Sequence, residues 1–501
     1  MVFAFSPGDA QALDWRLEPS VSATSTYTDN VDQRQSNTGD ALILGVTPGF
    51  TLRSEGSRRV QASLSYRLTG TSRFGNDNSN DIFHGLGALG KAEIVEDLFF
   101  IDGSANVGQS LISLFGSPAD ASVNAANRAT TGVYTISPYL VQRLGTFAQA
   151  QARYTRGGAI FGDNAAQDTD SDSFTAALSS GTRFDDLRWS LNYSLRETRN
   201  RDGGPDHTFE RATLSAGYAL TRKVRVFATY GHDWNEYLSA ANVEGSSYSV
   251  GVGWAPNART SLEVSAGERY FGNTYSVSGT YRTRASSWNV RYHEDVSDVS
   301  QQLQIEGGRI FWVCAGRLFE TRDFTPPPGQ AACLGPLPGQ LVTNFYAQLG
   351  LTEADLIPFG LRNISLNNGV FVSKNLNIGW SWNLGARTTL GVSVFDTRRV
   401  FQAVSQAEDH SRGIVNTLSY RMTPHTTANG SIGFTRNSAT TALLTTGSRD
   451  DDSLSLNLGM SHQFGKDLSG ALSFRHQQRD SNTANNDFTE NRLSATVNKR
   501  F

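Results

Sequence analysis

The sequence predicts an all-β fold, a transmembrane antiparallel up-and-down β-barrel of about 22 strands (20 to 24), and three observations carry that prediction. Strand-length segments alternate apolar and polar residues along almost the whole chain. Short turns at one end of these segments oppose longer polar stretches at the other. The last segment alternates to its final residue, Phe501.

The alternation is clearest from Leu187 to Leu195, where Leu187, Trp189, Leu191, Tyr193 and Leu195 interleave with Arg188, Ser190, Asn192 and Ser194. Successive side chains of a strand point to opposite faces, so this segment has one apolar and one polar face. The same pattern recurs as Leu376, Ile378, Trp380 and Trp382, and as Leu454, Leu456, Leu458 and Met460. A soluble sandwich also alternates. The punctuation separates the two readings. Ser54-Glu55-Gly56-Ser57, Pro256-Asn257-Ala258 and Gly465-Lys466 read as tight turns, whereas 75–81, 157–170, 200–206 and 447–452 read as longer loops. That asymmetry belongs to outer-membrane barrels.

Strands are expected near residues 19, 41, 58, 83, 98, 130, 145, 172, 187, 208, 223, 246, 259, 274, 286, 368, 387, 411, 425, 452, 467 and 489. An even count puts both ends of the barrel chain on the periplasmic side. With a mean hydropathy of -0.36, no run approaches the roughly 18 apolar residues of a membrane helix. The aromatics Trp189, Tyr193, Tyr218, Tyr230, Trp380 and Trp382 are expected on the lipid face or in its interfacial girdles.

The two chain ends extend this reading. Residues 1–12 carry an apolar Val2–Phe5 stretch and the small-x-small motif Ala10-Gln11-Ala12, and read as the remnant of a signal peptide. Residues 13–501 then form one outer-membrane barrel. Leu493, Ala495, Val497, Lys499 and Phe501 share one face, and the terminal aromatic resembles the signal read by the barrel-assembly machinery. Lys499 departs from a fully apolar pattern, but at a rim it can snorkel to the headgroups.

One interruption stands out. Between 299 and 367 the alternation weakens and Pro326-Pro327-Pro328-Gly329, Pro336, Pro338, Cys314 and Cys333 appear. Strand counting puts this insertion on the extracellular side, and a loop of such length is usually functional. Two cysteines 19 positions apart in one loop of an exported chain are expected to form a disulfide. A short helix is expected near 353–357.

No catalytic or metal constellation emerges. The eight histidines are scattered, and strand neighbours such as His232 and Asp233 point to opposite faces. No enzyme, cofactor or metal site is expected. A net charge of -3 offers no field for gathering nucleic acid. No amino-terminal plug segment precedes the first strand, which argues against a TonB-dependent transporter. The lumen remains. Arg67, Arg153, Arg188, Arg196, Arg225, Glu263, Arg269, Arg282, Arg291 and Arg475 are candidates to face it, with Asn192, Asn377 and Gln477, and such charges set solute selectivity or brace the wall.

The segment Trp15-Arg16-Leu17-Glu18-Pro19-Ser20-Val21, followed by Tyr27-Thr28-Asp29-Asn30-Val31, resembles the opening of outer-membrane barrel proteins associated with PEP-CTERM/exosortase exopolysaccharide loci. The resemblance implies a role in exopolysaccharide production or export, with polysaccharide and an inner-membrane export system as partners, and it carries over no catalytic residue. The expected function is a channel or export conduit. A general diffusion porin is the nearest alternative. A structural or adhesive barrel whose lumen is filled by the 299–367 insertion is the reading from another class.

Overall fold

The computed structural model describes residues 14–501 except 37, 76–77, 119–122, 240, 315–316, 323, 329–332, 347–348, 350, 352–355, 357–365, 367–368, 404–406 and 441–447. The expected signal remnant lies outside the described residues, as does the helix expected near 353–357 except for Leu356.

Twenty-two antiparallel strands close into one barrel. The first fifteen are β1 (Asp14–Thr28), β2 (Ala41–Glu55), β3 (Val60–Gly75), β4 (Ser79–Val95), β5 (Phe99–Leu111), β6 (Arg128–Leu144), β7 (Ala148–Phe161), β8 (Thr169–Ser180), β9 (Leu187–Asn200), β10 (His207–Thr221), β11 (Val224–Trp234), β12 (Glu244–Asn257), β13 (Thr260–Arg269), β14 (Gly272–Arg282) and β15 (Ser286–Ser297). The insertion follows. It holds helix α1 (Val299–Gly308), strands β16 (Ile310–Cys314), β17 (Arg317–Thr321) and β18 (Cys333–Pro338), and helix α2 (Gly339–Phe345). The barrel resumes with β19 (Phe371–Leu384), β20 (Thr388–Phe401), β21 (Glu408–Thr423), β22 (Thr426–Thr440), β23 (Arg449–Gln463), β24 (Leu468–Ser481) and β25 (Phe488–Arg500).

Ten turns of two to six residues lie at one end of the barrel, where β1 also begins and β25 ends. Gly56 (φ 81°) and Gly385 (φ 72°) supply the left-handed conformation that two of these turns require. The other end carries the longer connections, including 29–40, 112–127 and the insertion at 298–370. These ends are called here the short-turn and long-loop ends. Several loops are shorter than the sequence suggests. Residues 157–161 and 169–170 belong to β7 and β8, and only 76–78 separate β3 from β4. The strands run on past the apolar band because outward ion pairs sustain them there, among them Arg156 with Asp172 (2.5 Å) and Arg398 with Glu408 (2.5 Å).

The outward face is apolar and exposed, as lipid contact demands. Ile82 (68%), Val250 (64%) and Leu214 (54%) would be misplaced on a water-soluble protein. All six aromatics expected on the lipid side point outward, with Trp380 in ring contact with both Trp288 and Trp382 near the short-turn end. Towards the other end, outward tyrosine hydroxyls donate to carboxylates on the same or neighbouring strands: Tyr154 to Asp172 (2.5 Å), Tyr193 to Glu210 (2.8 Å) and Tyr248 to Glu268 (2.7 Å). Such rings, apolar in body and polar at the tip, mark the edge of the hydrocarbon. The chain is an outer-membrane β-barrel.

Closure is made by β1 and β25, in register from Ser20 opposite Arg500 to Thr28 opposite Arg492. The seam is reinforced at both ends. Phe501 points outward beside Lys499, and its N–H donates to the Pro19 carbonyl (2.9 Å). At the long-loop end the buried Glu490 carboxylate accepts from Thr28 Oγ1 (2.7 Å), Gln33 Nε2 (2.7 Å) and Arg492 Nη2 (2.8 Å). Breaking a buried ion pair of this kind costs roughly 3 to 5 kcal/mol. Glu490→Ala is therefore expected to lower the urea midpoint of the refolded barrel, while substitution of the exposed Glu96 leaves it unchanged. Equal midpoints for both variants would remove Glu490 from the seam's stability.

Candidate functional site: the barrel lumen

The insertion descends from the long-loop end into the barrel. Its α1 carries a side-chain cap: Asp298 Oδ1 accepts from Gln301 N (2.8 Å), satisfying a first-turn amide. The apolar side of α1 places Val299 and Leu303 against Ala129, Val133, Ala159, Phe161, Phe371 and Phe401 of the wall. Beyond α1, β16, β17 and β18 form a three-stranded sheet whose apolar residues meet α2 in a separate small core around Phe311, Leu337 and Val342. The expected disulfide is present. Cys314 and Cys333 face each other across β16 and β18, and the bridge joins them there.

Polar contacts fasten this plug to β3 through β9. Ser63 Oγ donates to Pro336 O (3.2 Å), Asn106 Nδ2 to Gly307 O (3.2 Å) and Thr169 Oγ1 to Ser300 Oγ (2.9 Å). Ser63 lies four residues above the tight turn at 56–59, so the plug reaches deep towards the short-turn end. Gly87 makes the approach possible. A Cβ there would lie 2.6 Å from the Pro338 ring. A second segment covers the mouth: in the 112–127 loop the Phe115 carbonyl accepts from Arg449 Nη2 (2.9 Å) and Arg479 Nη1 (3.1 Å), and the Val123 carbonyl from Arg73 Nη2 (2.6 Å).

The ten charged residues named from the sequence all lie on the luminal face. Arg196 shows the rule on β9: it contacts Gln304 Oε1 (3.4 Å) and Asp298 (3.8 Å) of the plug, so even positions, including Arg188 and Asn192, face inward. Arg153 donates to Asp102 (3.0 Å) and lies over the Tyr139 ring at 3.8 Å. Arg269 bridges Asp233 (2.8 Å) and Asp295 (2.9 Å), and Arg225 pairs with Glu263. Arg475 sits between strands in a small cavity bounded by Tyr346 and Leu351 of the plug. Arg67, Arg188, Arg282 and Arg291 form no ion pair among the described residues. The acidic partners Asp102, Asp233 and Asp298 had no sequence signal, because each meets its arginine across strands or across the lumen.

Between these charges the wall is lined with hydroxyls paired across strands. Thr47 with Thr69 (3.0 Å), Ser137 with Thr155 (2.8 Å), Ser215 with Thr229 (2.8 Å) and Ser265 with Ser276 (2.7 Å) are four such pairs. The plug leaves space on the side away from its polar attachments. A cavity of about 560 Å³ lies between α1 and the wall of β14, β15 and β19–β21, lined by Arg291, His293, Asn289, Asn375 and Asn377 and by Gln301, Ile305 and Glu306 of the plug. Among the described residues no group of histidine, cysteine and acidic side chains has the arrangement of a metal site.

Glu306 is a buried carboxyl at the junction of α1 and α2. Burial pushes its pKa up to about 7, against the weaker opposing effects of Thr343 and Arg309. Thr343 Oγ1 lies 2.9 Å from Glu306 Oε1 and 3.0 Å from Gly339 O. The Thr343 hydroxyl donates towards both oxygens, and its bond to the carboxylate only partly offsets the burial. A carboxyl whose pKa is raised by packing contributes stability that is complete below about 4.5 and lost as pH climbs to about 7. The span corresponds to roughly 3 kcal/mol. Amide protection in α1 and α2, the exchange rate taken relative to the intrinsic rate at the same pH, is therefore expected to fall between pH 5 and 8 in the native chain and to stay level in Glu306→Gln; an equal pH dependence of protection in both would exclude Glu306. The disulfide closes a loop worth roughly 3 kcal/mol of chain entropy. Its reduction is expected to leave heat-modifiable barrel migration intact while loosening the plug, measured by protease sensitivity of 309–345.

No protein-family model matches the sequence, and no curated protein matches it. Solved structures do match by shape. The ferric enterobactin receptor PfeA of Pseudomonas aeruginosa aligns with 97% of this chain and 81% of its own at a TM-score of 0.52 and 9% identity. The iron transporter FrpB of Neisseria meningitidis aligns with 97% of this chain and 82% of its own at 0.50 and 12% identity. At these identities the likeness is one of fold: this chain is similar to large outer-membrane barrels.

Proposed function

We propose that this protein is a gated outer-membrane conduit for saccharide chains, serving exopolysaccharide production or secretion, with the 299–367 insertion as its gate. The hydroxyl-paired luminal wall carries this reading. Sugars present many weak donors and acceptors, and a wall of hydroxyls and amides exchanges hydrogen bonds with them at little net cost per step, as passage requires. The amino-terminal resemblance supports the link to exopolysaccharide. On this reading the short-turn end faces the periplasm, and transport follows the solute gradient or an inner-membrane partner.

A general diffusion porin would share the polar wall but need no deep plug. The second reading, a non-conducting structural barrel, is favoured by the plug and the 112–127 segment together, since one enters the lumen and the other covers its mouth.

Single-channel recording of the refolded protein in a planar bilayer, with neutral and acidic oligosaccharides, separates the three. Infrequent openings are expected, interrupted by oligosaccharide, and more frequent in Gly87→Val, which drives Pro338 from the wall. Steady openings indifferent to saccharide would indicate a diffusion porin. A folded protein closed in both forms would leave the structural barrel.

A further inference from the structure

The basic residues are sorted along the barrel axis by whether they have partners. At the long-loop end arginines are paired with carboxylates: Arg201 with Asp170 (2.7 Å), Arg269 with Asp233 (2.8 Å), Arg398 with Glu408 (2.5 Å) and Arg436 with Asp452. At the short-turn end of β1 to β5 carboxylates stand beside arginines, as Glu55 beside Arg53 (3.0 Å) and Glu96 beside Arg59 (2.7 Å), although Arg58 forms no ion pair among the described residues. From β6 to β21 the pattern changes. Arg143, Arg188, Arg222, Arg282, Arg387 and Arg421 are all exposed at or beside the tight turns, and none forms an ion pair among the described residues. Three carboxylates accompany this arc, Asp185, Asp186 and Glu263, and Glu263 is already taken by Arg225.

Two features tie the arc to the passage rather than to the outer rim. By strand parity Arg143, Arg188, Arg282 and Arg421 face the lumen. The arc also lies below the side that the plug leaves open: the 560 Å³ cavity is walled by β14, β15 and β19–β21, and unpaired Arg291 faces into it. Arg282 is registered with Ser287, and Arg291 stands four residues further up β15, roughly 13 Å at the usual rise per residue. Guanidinium groups therefore lead from the mouth into the cavity, with hydroxyls beside them, such as the pair Ser287 with Ser381 (2.8 Å) at the level of Arg282.

We propose that the short-turn mouth captures an anionic polysaccharide, one bearing carboxylates along its chain, and feeds it into the β14–β21 side of the lumen. This rests on the conduit reading and adds the charge of its substrate. Unpaired guanidinium forks match carboxylates bidentately, and the hydroxyls between them suit the rest of each sugar. An acidic protein docking on the rim would engage the turns but would not need the arginines that face inward. A field concentrated at a cleft mouth raises the capture rate of an oppositely charged ligand tenfold or more, and salt removes the gain.

The test uses the full chain in a planar bilayer, with oligogalacturonate, a malto-oligosaccharide of equal length and poly-glutamate added separately to each side. Oligogalacturonate is expected to block from the short-turn side at least about tenfold more often than the neutral sugar near 0.1 M salt, and to lose that advantage near 1 M salt. The variant Arg188→Gln/Arg282→Gln/Arg421→Gln is expected to lose it at low salt too, while Arg398→Gln/Arg436→Gln at the other end keeps it. Heat-modifiable migration confirms folding, and the single variants replace the triple if it fails. If no opening is seen, calorimetric binding of the same three probes to the detergent-solubilised protein gives the same comparison. Equal capture of both sugars, or a preference that survives the triple variant, overturns the proposal and leaves the conduit reading standing. Indifference of an open channel to every sugar overturns both. Capture of poly-glutamate without oligogalacturonate would assign the arc to an acidic protein instead.

Discussion

In hydrocarbon a backbone N–H or C=O has no water to turn to, and each one left unsatisfied costs several kcal/mol. The structure depends on that constraint. A sheet meets it only by having no edge, so β1 must find β25, and the nine paired positions from Ser20 to Thr28 complete the ladder. Closure then dictates the chemistry of the faces. Alternate side chains must serve lipid and lumen, which is why Leu191 stands beside Asn192 and Val250 beside Ser249. It also explains the weight placed on the seam, where residues more than 450 positions apart share hydrogen bonds, Asp29 with Asn491 (2.7 Å) among them. No local signal can hold that join together.

The strand pattern was legible for the same reason. A period of two is imposed on every segment by the two solvents, and strand starts expected near 41, 187 and 286 are those observed. The luminal side of all ten charged candidates followed from parity alone. Loop boundaries were less legible where polar residues continue a strand above the membrane. Asp170 looks like a loop residue until Arg201 is seen to hold it. The helix α1 had a readable start in Asp298 and Gln301, obscured by its place in a stretch without strand pattern. That the insertion enters the barrel was beyond local reading, because contacts such as Asn106 with Gly307 span 201 positions.

Charge pairing adds a second level of organisation. Several luminal arginines near the plug and the long loops are neutralised by carboxylates, as Arg269 is by Asp233 and Asp295, whereas Arg67, buried on β3, forms no ion pair among the described residues. A buried guanidinium without a partner would carry a desolvation cost that a wide, hydrated mouth does not impose. Bracing and display therefore fall to different arginines of one barrel, divided by depth and by strand. The five lysines in the chain contribute little to either role. The planar fork of arginine serves both, since it can be fixed by two carboxylates or offered to a ligand.

The plug is attached to the wall in two unequal ways, and the difference follows from where its apolar residues go. Its sheet and α2 keep Phe311, Leu337 and Val342 within their own core and meet the wall through the hydrogen bond from Ser63 to the Pro336 carbonyl and the fit of Pro338 at Gly87. Such a bond is worth about 1 kcal/mol net, and water replaces it readily in a polar lumen. By contrast α1 buries Val299 and Leu303 against wall residues, including Phe371 and Phe401, at roughly 1.5 to 3 kcal/mol for each fully buried side chain. Moving the distal part exposes little apolar surface, whereas moving α1 exposes a patch that the lumen cannot cover. The disulfide joins two strands within the distal part and does not fasten it to the barrel. Glu306 lies where α1 meets α2, at the boundary between the firmly anchored element and the one held by exchangeable contacts. A change in its charge therefore acts where the plug can separate into two parts, without disturbing the ladder that keeps the barrel closed.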